Sequence, residues 1–152
     1  MKIDKTDKKL INILQIDSKT TTKKIATELN LSVTAIYERI KKLEKKGIIK
    51  KYVAVINKEK VNRNFIVFCQ VKLVQHHHIY IKEFEKEVLQ FNEVLACYNI
   101  SGDYDYLLKV AVENMKSYRD FINLKLTTLN HISSTQSNFI IDEVRNSTAV
   151  LL

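Results

Sequence analysis

The sequence predicts an α+β chain in two unlike parts, with short helices first and then strands alternating with helices. Three observations predict it. Apolar residues recur at helical spacing through the first third of the chain, and from residue 64 onward β-rich runs alternate with amphipathic stretches. The charge is also divided: residues 1–60 hold 16 bases against seven acids, net +9, while the rest nets −1 within an overall +8. Such an asymmetry suggests a polyanion-binding module joined to a near-neutral one.

The first helix begins where Asp4 or Thr6 accepts its orphan N–H groups, buries Leu10, Ile11 and Leu14, and ends near Ser18. A polar connector follows, and Thr21 or Thr22 caps a two-turn helix with Ile25, Ala26 and Leu29 on one face. Asn30, which tolerates left-handed backbone, makes the tight turn. Ser32 then caps a longer helix in which Ile36, Ile40 and Leu43 recur at i, i+4 and i+7, and Gly47 closes it. Short helix, tight turn and capped longer helix is a helix-turn-helix layout. Residues 48–56 read as a short strand and exit path, which makes the module of the winged type, and residues 57–63 as a linker.

The second part opens with a strand at 65–73, then a helix at 80–91 carrying Ile81, Phe84, Val88 and Phe91. Strands at 94–100 and 104–112 flank the turn Ser101-Gly102-Asp103. A helix at 115–126 and a final strand at about 133–144 complete the order βαββαβ, the ferredoxin-like arrangement. The expected domains are therefore 1–56, a linker at 57–63, and 64–152. Helices on one sheet face leave the other to be covered, most simply by a second copy, so a homodimer at least is expected.

Composition narrows the function classes. No apolar run approaches the roughly 20 residues of a membrane span, and the charged N-terminus does not read as a signal peptide, so a cytoplasmic location is expected. Cys69 and Cys97 are too few and too distant in sequence for a disulfide scaffold or zinc knuckle, and read as free thiols. The run His76-His77-His78 reads as an exposed turn rather than a metal site, since adjacent residues in one extended loop do not converge on one ion. No Gly-rich phosphate loop or nucleophile–base pair stands out, so neither an enzyme nor a cofactor is expected.

The stretch from Leu31 through Gly47 to Tyr52, the motif Ser101-Gly102-Asp103-Tyr104-Asp105-Tyr106-Leu107-Leu108, and the opening Asp4-Lys5-Thr6-Asp7 resemble the leucine-responsive regulator (Lrp/AsnC, feast/famine) family. The resemblance runs from about Asp4 to Val144. Asn30 stands where that family frequently has Gly, and Val33 where it often has Pro. The resemblance implies a transcription regulator that binds double-stranded DNA and whose DNA affinity or assembly responds to an amino acid or related molecule. It also implies dimers that assemble into tetramers or octamers. A ligand-independent, DNA-compacting architectural protein is the alternative.

On the capped longer helix, the N-terminal residues Ser32, Val33, Thr34 and Ala35, with Tyr37 and Glu38, are placed to meet base edges in the major groove. Arg39, Lys41, Lys42 and Lys45 are candidates for phosphates, and Thr21, Thr22 and Lys23 for further backbone contacts. Arg39 has a second reading, as a partner of Glu28 or Asp7. For the effector, the resemblance points to Gly102, Asp103, Tyr104 and Asp105, with Thr135 and Ser137 on the last strand. A carboxylate suits a zwitterion's ammonium, and a Gly turn exposes N–H groups to its carboxylate. The plainer reading is that Gly102-Asp103 only makes a turn and Asp105 pairs with Lys109.

Overall fold

The computed structural model describes residues 3–75 and 77–152. The chain divides into two compact units, Met1–Val55 with Val144–Leu152, and Ile56–Glu143. The first unit is three helices: α1 (Lys5–Ile16), α2 (Thr22–Leu29) and α3 (Val33–Lys45). Each start has a side-chain cap, as Asp4, Thr21 and Ser32 accept from the N–H groups of Asp7, Lys24 and Ala35. Asn30 takes the left-handed conformation (φ 54°, ψ 50°), which closes α2 and aims the chain into α3. Gly47 does the same after α3 at φ 67°. The core is Leu10, Ile11, Leu14, Ile25, Ala26, Ile36 and Leu43, with Leu29 and Ile40 packed at its edge.

Residues 48–56 are not a strand. Ile48 and Ile49 donate to the Leu43 carbonyl, closing α3, and residues 50–56 run on as irregular backbone. A β-rich run needs a partner to complete its ladder, and no strand is assigned among the described residues of this unit.

The second unit is a four-stranded antiparallel sheet in the order β2-β3-β1-β4, formed by β1 (Phe65–Leu73), β2 (Val94–Asn99), β3 (Tyr106–Val112) and β4 (Ile132–Phe139). With α4 (His78–Val88) and α5 (Met115–Leu124) the order is βαββαβ. Strand parity divides the sheet. Val67, Cys69, Val71, Leu108 and Val110 pack with Phe84 and Val88 of α4 and with Tyr118 and Phe121 of α5. The alternate residues Phe68, Gln70, Leu107 and Lys109 face the other way. β4 stops at Phe139 rather than reaching 144, because β1 runs out: the last bond is from Ile140 N–H to the Ile66 carbonyl. Residues 144–152 group with the helical unit.

Candidate functional site

On α3, Ser32, Val33, Thr34, Tyr37 and Glu38 are exposed, and Ala35 is half-buried. Burial of Ile36 and Leu43 turns this face outward. Farther along, Glu38, Lys41, Lys42, Lys45 and Lys46 line a shallow concavity of about 510 Å³. Lys41 lies 3.0 Å from Glu44, which also accepts from the Tyr52 hydroxyl at 3.1 Å. The Glu44 hydrogen bond raises the Lys41 pKa, and the bonds from Lys41 and Tyr52 lower that of Glu44. An exposed pair of this kind is weak and exchanges readily for another anion. Thr21 and Lys23 are exposed at the start of α2, with Thr22 half-buried and Thr21 spent as the cap.

Arg39 faces inward from this surface. Its Nη1 donates to Asp4 Oδ2 at 2.7 Å and to Asp7 Oδ1 at 2.6 Å, and the Asp7 side chain is only 4% exposed. The guanidinium placed among the phosphate candidates is thus tied to α1, with Asp7 as one of the partners the sequence reading named and Asp4 as a partner it did not. The N–H of Asp7 and the Arg39 guanidinium together hold the Asp4 carboxyl below its usual pKa.

In the second unit, residues 100–105 form a longer turn than the three residues expected, and β3 starts at Tyr106 instead of Tyr104. The diverted residues are put to use. Asp105 donates its N–H to the Val71 carbonyl at 3.0 Å, and its Oδ2 accepts from Leu73 N–H at 2.7 Å. Lys109, the expected partner of Asp105, instead lies 3.7 Å from Glu143. The Tyr104 hydroxyl donates to Gln136 Oε1 of β4 at 2.8 Å. The turn is thereby fastened across the end of β1 to β4, with Gly102 (φ 119°) and Asp103 exposed at its tip.

Thr135 and Ser137 lie on the other face. In register they pair with the core residues Val71 and Cys69, and the Ser137 hydroxyl meets that of Tyr118 at 2.6 Å. The residue brought to the turn is Gln136, which the sequence reading passed over. It stands one position from each chosen residue, and strand parity was the signal that could have found it.

His77 stands at the N-cap of α4 and His78 is its first residue. His76 lies outside the described residues, and the ring of His77 packs 5.7 Å from Tyr80, which stacks on His131 at 3.8 Å. Burial raises the Cys97 thiol to about 11, with the Glu85 charge adding to the effect, so it stays protonated at neutral pH. Cys69 is buried and likewise raised.

Comparison with known proteins settles what this arrangement belongs to. Residues 3–50 match the winged helix-turn-helix DNA-binding model, and residues 66–150 match the Lrp/AsnC ligand binding domain, more than half of the chain. The chain belongs to the Lrp/AsnC family. It is a DNA-binding transcriptional regulator with a helix-turn-helix and a ligand-binding domain. An uncharacterized HTH-type transcriptional regulator of Haemophilus influenzae is 34% identical over 99% of this chain and 89% of its own length. The leucine-responsive regulatory protein of Escherichia coli is 29% identical, covering 99% and 92%. Among solved structures, an AsnC family regulator from Agrobacterium tumefaciens superposes with a TM-score of 0.93 at 33% identity, covering 97% of this chain and 95% of that one. A transcriptional regulator of Neisseria meningitidis, solved as its L-methionine complex, gives 0.94 at 28% identity, covering 98% and 96%.

Proposed function

We propose that this Lrp/AsnC regulator reads double-stranded DNA with the exposed start of α3 and that an amino acid bound at the 100–105 turn modulates its DNA affinity or assembly. The observation that carries the DNA half is an exposed face of Val33, Thr34, Tyr37 and Glu38 that leads into Lys41, Lys42 and Lys45. Side chains at the start of the helix meet base edges, and the lysines meet phosphates, which hold register without reading sequence. Thr21, Thr22 and Lys23 add backbone contacts from α2. Arg39 is left out of the phosphate set, since it is held by Asp4 and Asp7.

For the effector, Asp103 offers an exposed carboxylate to an ammonium, and the Gly102 backbone and the Tyr104–Gln136 pair supply further polar groups. Asp105 holds the turn in place. Thr135 and Ser137 have a weaker claim, because parity turns them toward α5. The L-methionine complex of the Neisseria regulator supports an amino acid as the ligand class. The regulator works as a homodimer that builds tetramers or octamers, in the cytoplasm; no described helix is long and apolar enough to cross a membrane.

One titration tests both halves. The chain is titrated onto an operator duplex selected from random DNA, alone and with each of the twenty amino acids at millimolar concentration. One of them should shift the affinity in the wild type and not in Asp103→Ala, while Thr34→Ala with Lys41→Ala should lose preference for the operator over random DNA. Unchanged operator preference in that double variant would end the assignment of α3. Affinity unmoved by any amino acid would favour the architectural alternative.

A further inference from the structure

The chain passes between its two units twice, at Val55–Ile56 and again at Glu143–Val144. Both passages are pinned on the second unit, where the Glu143 carboxylate accepts from Lys58 Nζ at 3.1 and 3.3 Å and lies 3.7 Å from Lys109 Nζ. The second passage is also fastened at its far end, on α1. The Gln15 amide donates to the Val150 carbonyl at 2.8 Å and accepts from Val150 N–H at 2.7 Å. The Asn12 amide does the same to Leu152, at 3.2 and 3.1 Å.

The chemistry matches this pairing at each step. In extended backbone, residues two apart present N–H and C=O to the same side. Residues three apart on a helix share a face. A primary amide carries a donor and an acceptor together, so Asn12 and Gln15 each close a two-bond ring on one residue, as a neighbouring strand would. The contact is made through backbone atoms, and the side chains of the latched residues stay open to solvent: Val150 and Leu152 are 69% and 48% exposed. Four exposed hydrogen bonds make a latch that holds but also releases.

We propose that residues 144–152 are a second tether between the ligand-binding and DNA-binding units, latched on α1 by Asn12 and Gln15, and that the tether pre-orients α3 for DNA carrying two half-sites. The latch and the recognition helix are joined through α1, which carries Asn12 and Gln15 in its later turns and is tied to α3 at its start by Arg39 with Asp4 and Asp7. The proposal rests on α3 being the DNA-contacting helix. Binding two half-sites at once rewards restricted freedom between reading heads, whereas binding one does not.

The test compares the full-length wild type with Asn12→Ala/Gln15→Ala and with a chain lacking residues 150–152. Hydrogen exchange reads the Val150 and Leu152 amides, and titrations use operator duplexes with one and with two half-sites. In the wild type the two amides are protected, and the double alanine variant speeds their exchange by about tenfold or more. Both variants lose about fivefold to tenfold in affinity for the two-site duplex and stay within about twofold on the single site. Unprotected amides in the wild type would remove the latch, and an unchanged two-site affinity would remove the tether's role. Equal losses on both duplexes would mean that α3 itself had been disturbed, which also rejects the proposal. A wild type that binds neither duplex would overturn the DNA reading and the tether's role together, with the exchange data still reporting whether the latch exists.

Discussion

At the scale of single residues, Arg39 shows how a side chain leaves the set to which its charge assigns it. It lies among Lys41, Lys42 and Lys45 in sequence, yet its guanidinium is held by Asp4 and by the buried Asp7. Removing it strands a carboxylate that has little water around it. Arg39→Ala should therefore lower stability by about 2 kcal/mol in chemical denaturation. The salt dependence separates its role from a phosphate contact. Lys41→Ala should reduce the slope of log affinity against log salt by about one, whereas Arg39→Ala should leave the slope unchanged. The same cluster responds to acid. Because the Asp4 carboxyl is held below its ordinary value, its contribution is fully present above the usual carboxylate range and is lost as pH falls through the lowered pKa. Thermal melts from pH 6 to pH 2 should show a smaller acid-induced loss in Asp4→Asn than in the wild type.

At the scale of elements, local chemistry decided the helices and partner strands decided the sheet. The three caps and the left-handed Asn30 were legible because each uses atoms only a few residues away. Gly47 adds a case where only the backbone matters, since a Cβ there would meet nothing within 4 Å but the φ is +67°. Gly47→Ala should destabilise by about 1 kcal/mol in a denaturant melt, with no change in operator preference. The strand expected at 48–56 and the long reach expected of β4 failed for one shared reason: a β-rich run becomes a strand only where another strand lies beside it. β4 ends where β1 ends, and residues 50–56 have no strand beside them among the described residues. The turn at 100–105 had the opposite fate. Its glycine was visible in the sequence, but its anchoring to Val71, Leu73 and Gln136 depends on which strands become neighbours.

At the scale of the whole molecule, the charge division and the two-sided sheet make the strongest statements. A net +9 in residues 1–60 beside a near-neutral remainder makes DNA affinity steeply dependent on salt. With about six phosphate contacts per dimer, log affinity should fall against log salt with a slope of about −5, measured by anisotropy between 50 and 300 mM salt. The helices cover one face of the sheet, and the alternate residues Phe68, Gln70 and Leu107 line the other. A second copy is the proposed cover, so light scattering should give at least a dimer. A monomer at micromolar concentration would remove that proposal.

The sequence by itself determined the capped starts of the first three helices, the βαββαβ order, the separation of charge and the family. All of these rest on short-range spacing or on motifs read in order. Tertiary structure alone decided that Arg39 turns to α1, that Gln136 rather than Thr135 or Ser137 meets Tyr104, and that the last nine residues return to Asn12 and Gln15. Each of these joins groups more than 30 positions apart, where the sequence offers several partners of equal chemistry. Only strand register and packing place one of them within hydrogen-bonding reach.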